Sequence, residues 1–285
     1  MRIIKRKKGS REYYYIQYSF RKENKVITKE KYLGKEIPKN IEEIKKEINK
    51  ELKNELIEKL EKIKENFQEE WERIPESAKK KEKEEISIAF TYNTNAIEGS
   101  TITLEETREI IHDKISPNKL LRDVKETESH SKVFLEMLDK KEKLNEELIL
   151  KWHYEIFKDV KKDIAGKYRE YLVRVGDYLA PDWQDVKKLM KELFEFIKEY
   201  KKKINPIELA GIIHYRFEKI HPFGDGNGRI GRLLMNYIIW YANYPMIIIE
   251  YKKRKSYYKA FKKDEAEFVN YFIRRYLTIH KKRIA

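Results

Sequence analysis

Residues 233–249, LLMNYIIWYANYPMIII, run for 17 positions without a charge, in a chain of 285 residues of which 40% are Asp, Glu, Lys or Arg. The run is shorter than the roughly 20 residues that span a bilayer, and it holds Asn236, Asn243 and Pro245. From Ile230 to Ala242 it is apolar on nearly every face, which predicts a helix enclosed by the rest of the chain, followed by a strand or loop. The rest of the chain must supply the elements that enclose it, and most of those read as helices.

Those helices are legible in the spacing of apolar residues. Asn40 to Glu84 is dominated by Lys, Glu, Leu, Ile and Asn, with Leu52, Leu56, Leu60 and Ile63 on one stripe and a break at Pro75. EEISIAFTYNTNAIEGS predicts a helix that ends at Gly99. Thr103 starts another, with Glu106 completing a capping box. Further helices are expected at about 122–139, 145–160 and 182–200. Another opens at Pro206, with Leu209, Ile212, Ile213, Phe217 and Ile220 on one side.

Two stretches break the helical pattern. Residues 1–37 read as strands: REYYYIQYSF, a turn at RKEN, then KVITKEKYLG, ended by Pro38. GKYREYLVRVGDYLAP, 166–181, sets Tyr171, Val173 and Val175 in alternation between Gly166 and Gly176, as a short strand or hairpin does. The expected fold class is mainly α. It comprises a small β unit over 1–38, a helical linker segment over 39–84 and a helical domain over 85–285.

Composition narrows the chemistry. The absence of cysteine excludes disulfides and thiolate metal sites. A net charge of +15 favours an acidic partner such as nucleotide, nucleic acid or anionic membrane, but the 64 Lys and Arg are mixed with 49 Asp and Glu, so a solvated surface explains most of it. MRIIKRKKGS is basic without an apolar core, hence no signal peptide, and a cytoplasmic location is expected.

His221 to Arg232, HPFGDGNGRIGR, concentrates the chemistry. Gly226-Asn-Gly228-Arg-Ile-Gly231 fits GxGxxG, but a helical segment precedes it where a dinucleotide fold needs a strand. Gly231-Arg232-Leu233 is not GK[ST], and Arg229 and Ile230 stand where a calcium loop needs an oxygen ligand and a glycine. Gly226 and Gly228 permit a turn that aims successive N–H groups into one concavity, and the buried helix begins there. A glycine turn at a helix N-terminus is an anion site. Arg229 and Arg232, three apart, can grip phosphate oxygens. Asp225 fits beside phosphates if Mg²⁺ lies between. His221 has the near-neutral pKa of a base for an attacking hydroxyl. The sum is an Mg²⁺–nucleotide site for phosphoryl or nucleotidyl transfer.

The same residues resemble the signature of the Fic (Fido) family, HPFx[D/E]GNGRxxR, at every fixed position, and the similarity extends over roughly residues 85–275. GKYREYLVRVGD resembles the family's flap, APDWQDV the turn and helix after it, and RKSYYKAF a segment whose tyrosines line the base pocket. The resemblance implies a helical core with a β-hairpin flap, and AMPylation: transfer of AMP from ATP to a Tyr, Thr or Ser hydroxyl of a target protein, with Mg²⁺ or Mn²⁺. By position it implies His221 as general base and Asp225 as metal ligand. Gly226, Asn227, Gly228 and Arg229 would cradle the phosphates and Arg232 would pair with the γ-phosphate. Val173, Arg174, Val175 and Gly176 would form the flap edge, and Tyr257 and Tyr258 would contact the nucleoside, although core tyrosines are the ordinary reading of those two.

Thr94-Asn-Ala-Ile-Glu98-Gly99 resembles the family's inhibitory motif, [S/T]xxxE[G/N], on a helix at about 86–99. It implies that Glu98 pairs with Arg232 and displaces the γ-phosphate. Expected partners are ATP and a hydroxyl-bearing protein, with self-modification and a homo-oligomer admitted, no membrane, and nucleic acid disfavoured. Removal of AMP by the same site is the alternative within the fold. A nucleic-acid or protein docking module in the basic N-terminal region is the alternative outside it. His112, His130, His153, His214 and His280 show no metal-ligand spacing, and His153 and His214 read as structural.

Overall fold

The computed structural model describes residues 1–22 and 25–284. The chain opens with three antiparallel strands, β1 (Arg2–Lys8), β2 (Arg11–Lys22) and β3 (Lys25–Gly34), in the order β1-β2-β3. Tyr15 stands opposite Ile4 on one side and Tyr32 on the other. Of the turn expected at RKEN, Glu23 and Asn24 lie outside the described residues. Ile16 on the central strand is fully buried. Helix α1 (Ile41–Arg73) follows, and its stripe is graded: Leu60 and Ile63 are fully buried, Leu52 and Leu56 only half covered.

The chain divides into two units, Met1–Glu61 and Lys62–Ala285. In the second unit, α2 (Glu76–Ile97) starts directly after Pro75, ten residues before the expected start, so the boundary drawn at 84/85 falls inside a helix. Then come α3 (Leu104–Arg108), α4 (Leu121–Asp139), α5 (Glu146–Phe157), α6 (Val186–Tyr200), α7 (Pro206–Ile220), α8 (Asn227–Trp240), α9 (Arg254–Phe261) and α10 (Glu265–Ile279). Thr103 and Glu106 form the expected capping box at α3, and Asn205 caps α7 ahead of Pro206. The 166–181 hairpin is shorter than the alternation suggested, with β4 (Arg174–Val175) and β5 (Tyr178–Leu179) pairing over two residues each.

The uncharged run is the centre of this unit. Twelve of the 14 residues of α8 are buried, and α7 lies along it, with α2, α4 and α5 also touching it. Asn236, buried among apolar groups, is satisfied by a reciprocal pair: it accepts from the Ile247 N–H at 2.9 Å and donates to the Ile247 carbonyl at 3.0 Å. That pair holds the irregular chain after α8 against the helix. Among the described residues no helix is long and apolar enough to cross a membrane.

Candidate active site

The HPFGDGNG stretch is the turn between α7 and α8. His221 ends α7 in the left-handed conformation, φ 50°, its N–H bonded to the Phe217 carbonyl. Asn227 braces the turn from inside, accepting from the Phe223 N–H and donating to the Phe223 carbonyl, both at 2.8 Å. Gly226 has φ 80°, and a Cβ there would lie 2.4 Å from the Phe157 ring, so only glycine fits. His153 supports the same turn. Its Nδ1 accepts from the Gly166 N–H at 2.9 Å, which leaves Nε2–H to donate to the Asp225 carbonyl at 3.0 Å. Burial pushes this imidazole down to about 4, so it stays neutral. The first N–H groups of α8 have no intrahelical partner, and they carry the positive end of the helix dipole.

His221 is half-buried, and burial, seconded by Arg169, lowers its pKa from the ordinary value. It is therefore neutral at pH 7, as a base must be. Arg169, 3% exposed, donates to the carbonyls of His221 at 2.8 Å, Tyr171 at 2.8 Å and Pro181 at 2.6 Å. Tyr178 donates to the Lys219 carbonyl at 2.9 Å. These bonds fasten the hairpin to the end of α7. Within it, the Val173 carbonyl accepts from the Ala180 N–H at 3.0 Å, Arg174 and Val175 form the exposed β4, and Gly176 makes the turn.

Asp225 stands in a network of charge. One oxygen accepts from the Gly226 N–H at 2.5 Å and lies 3.4 Å from Arg229, and the other accepts from Lys161 at 2.6 Å. Burial opposes its charge, but Arg229, Lys161 and that N–H hold it below the usual carboxylate range. Lys161 also reaches Glu126 at 3.0 Å, and Glu126 accepts from Arg229. Arg229 is 4% exposed, over the Phe157 ring. Among the described residues its guanidinium is thus committed to Glu126 and Asp225. Sequence reasoning did not single out Glu126 or Lys161. A Glu in an amphipathic helix and a Lys among 64 Lys and Arg carry no spacing signal.

The end of α2 completes the site. Arg232, 2% exposed, donates to Thr94 Oγ1 at 2.6 Å, the Thr94 carbonyl at 3.2 Å and Glu98 Oε1 at 2.6 Å. Burial works against its charge, yet Glu98, Tyr257 and Glu218 hold it above the ordinary value. A Cβ at Gly228 would lie 2.1 Å from Glu98 Oε1, so the carboxylate rests directly on the first turn of α8, where a helix N-terminus attracts an anion. The two tyrosines separate. Tyr257 is fully buried, 2.6 Å from His214 Nε2 and beside Arg232, whereas Tyr258 is exposed and donates to the Ile97 carbonyl. Glu218, unforeseen, lies behind Arg232. Burial pushes its carboxyl up to about 8, and one oxygen has no partner among the described residues.

The turn, His221, Asp225, Arg229, Arg232 and Glu98 therefore meet in one place. Residues 143–239, from just before α5 to the end of α8, match the Fic/DOC family. The protein adenylyltransferase Fic of Nematostella vectensis is 34% identical over 196 residues, covering 67% of this chain and 46% of that protein. Its counterpart in Drosophila willistoni is 31% identical over 208 residues, covering 70% and 41%. The chain belongs to the Fic/DOC family. It spans less than half the length of those curated relatives. Among solved structures, a Fic-domain-containing signalling protein from Bacteroides thetaiotaomicron superposes with a TM-score of 0.68 at 26% identity, over 79% of this chain and 96% of that one. Fic-1 from C. elegans gives 0.69 at 25%, over 83% and 72%. Glu98, Tyr257 and Tyr258 lie outside the matched 143–239 segment, so their place in this Fic/DOC site rests on geometry.

Proposed function

We propose that this Fic/DOC chain is a protein adenylyltransferase held at rest by its own Glu98. The observation that carries the reading is the Glu98 carboxylate, bound by Arg232 on the first turn of α8, a site whose physics suits a phosphate. The names of the relatives support the reaction class. In this reading a Ser, Thr or Tyr hydroxyl of a target protein approaches neutral His221, which takes its proton. The hydroxyl oxygen forms a bond to the α-phosphorus of ATP, the bond from that phosphorus to the β-phosphate oxygen breaks, and pyrophosphate leaves with the electron pair. The N–H groups opening α8 orient the phosphates, and Arg232 takes the terminal phosphate once Glu98 has left it. Tyr257 backs Arg232 from the core, Tyr258 borders the end of α2, and Val173 to Gly176 offer an exposed edge for the target.

Asp225 would hold Mg²⁺ or Mn²⁺. Its carboxylate is kept ionised, and it already accepts one cation, the Lys161 ammonium. Among the described residues no group of three or more His, Cys, Asp or Glu gathers there, so an ion held by Asp225 would take its other ligands from phosphate and water. Such an ion, when bound, neutralises charge on the phosphates. The reading places the reaction in the ATP-containing cytoplasm. The deciding experiment follows label from α-labelled ATP into protein for wild type, Glu98→Gly and Glu98→Gly/His221→Ala. Protein labelling by Glu98→Gly that needs His221 is the expected result, and no labelling by any variant overturns the reading.

A further inference from the structure

Residues 1–37 hold 12 Lys and Arg against four Asp and Glu, a net +8 of the chain's +15 in its first 37 positions. A solvated surface spreads charge, and this concentration asks for another explanation. The two faces of the three-stranded sheet differ. Ile16 marks the inner face, and strand alternation puts Tyr13, Tyr15 and Gln17 on the outer one. Tyr32, 53% exposed, gathers there with Tyr13 at 6.2 Å and Tyr15 at 5.3 Å between ring centroids. Arg6 lies 5.5 Å over the Tyr15 ring and pairs with Glu30, an acid on this face, while Arg2 donates to Gln17.

The charge on this face runs along one border. Arg2, Arg6 and Lys8 occupy three of the four outward positions of β1, with Ile4 between the first two, the positions repeating at about 6.6 Å, and Arg11 stands opposite Lys8. The outward positions of β3, namely Thr28, Glu30 and Tyr32, add no base. A duplex offers two phosphate rails, one on each side of a groove, whereas among the described residues this face has one basic rail with an aromatic and amide strip beside it. An acidic peptide would meet the rail, but its sequence need not set a planar group beside each charge, as a single strand does with its bases. We infer that the outer face of the N-terminal sheet binds single-stranded nucleic acid, with phosphates along β1 and bases against Tyr32 and its neighbours. Charge-assisted bonds to phosphate and stacking on aromatic rings are the two terms such a site combines. The sequence disfavoured a nucleic-acid module because such a module leaves the catalytic motif unexplained, an objection that does not apply to a second site. The N-terminal sheet concentrates the positive charge, and Arg2, Arg6, Lys8 and Arg11 share the face that carries Tyr13, Tyr15 and Tyr32.

The test uses the full chain and fluorescent single strands of about 20 nucleotides, as DNA and as RNA, with the duplex of the same sequence, read by anisotropy between about 50 and 200 mM salt. Single strands should bind more tightly than the duplex, and the DNA and RNA arms show which sugar is preferred. Replacing Arg2, Lys8 and Arg11 with Ser should flatten the salt slope by about 2, at roughly 0.7 for each phosphate that is no longer neutralised. Tyr32→Ala should weaken binding roughly ten-fold at an unchanged slope. These side chains are exposed or at the rim, and thermal unfolding confirms that the variants fold. A control replaces Lys187, Lys201 and Lys202 with Ser, the same change of charge in a distant part of the sequence. The inference is overturned by no binding at the lowest salt, by tighter duplex binding, by an equal loss in the control, or by a Tyr32→Ala protein that binds like wild type.

Discussion

Glu98 Oε1 and the Arg232 guanidinium lie 2.6 Å apart on the first turn of α8, and Thr94, one helical turn earlier on α2, holds the same guanidinium at 2.6 Å. Two residues of one helix face thus occupy the hydrogen-bonding side of a single buried cation. A charge-assisted pair of this kind is about twice as strong as a neutral hydrogen bond. In the proposed reading, an anion that is to use Arg232 first displaces Glu98.

Glu98→Gly should therefore raise automodification with ATP well above wild type. The gain should depend on Arg232, so Glu98→Gly/Arg232→Ala should fall back to a low rate. Thermal unfolding must first show both proteins folded, since Glu98 caps α2. The check is the transfer rate of wild type, single and double variants at saturating ATP and Mg²⁺. A folded Glu98→Gly protein no faster than wild type would leave Glu98 as a structural residue, or as a water-aligning group in the removal of AMP.

His221→Ala, made in the Glu98→Gly background, should lower transfer by about 10²–10⁴-fold while nucleotide still binds, because the imidazole acts on the hydroxyl and not on the phosphates. Single-turnover labelling beside equilibrium ATP binding separates the two effects. Equal labelling rates would remove the base assignment.

The pH profile of the Glu98→Gly protein tests the same residue without a mutation at it. Burial lowers the His221 pKa from its ordinary value of about 6.5, so the neutral base persists as pH falls to that point and is lost only below it. The acid limb of kcat/KM should have its midpoint under about 6.5. A midpoint at or above that value contradicts the environment described for His221.

Excess chelator should abolish transfer by Glu98→Gly, and Asp225→Ala should lose Mn²⁺ binding in the presence of ATP. Electron paramagnetic resonance of Mn²⁺ reads the second effect without reliance on activity. Retained binding in the Ala variant would move the metal to another ligand.

Glu218 predicts a dependence of stability on pH. Its carboxyl is pushed up to about 8 in the folded chain, so between the ordinary carboxylate pKa and that value the folded state keeps a proton that the unfolded state has lost. Stability from this group is complete at low pH and declines as pH rises toward 8. Glu218→Gln, a mimic of the protonated acid, should gain in Tm relative to wild type as pH goes from about 5 to about 8. A Tm difference that stays constant across that interval argues against a buried neutral carboxyl.

Much of this site was written in short-range pattern. The turn showed because Gly226 and Gly228 sit at the start of a helix that is apolar on nearly every face, and the Asn205–Pro206 and Thr103–Glu106 ends obey local capping rules. Glu126 and Lys161 did not show, because their meaning comes from α4 and the segment after α5 converging on Asp225, and no local rule encodes such convergence. The strand-like alternation at 171–175 overstated the hairpin, since Arg169 draws the Tyr171 and Pro181 carbonyls to itself and leaves two residues on each side to pair. Tyr257 and Tyr258, adjacent in sequence, part company because successive helical residues point about 100° apart.

One guanidinium, that of Arg169, grips the backbone of His221 and both ends of the hairpin. The surface on which a polypeptide would be laid and the imidazole that would receive its proton therefore share a hinge pin. A polypeptide that displaced the hairpin would pull on the backbone of His221 through that one side chain. Hairpin position and base position are thus coupled through a single buried guanidinium.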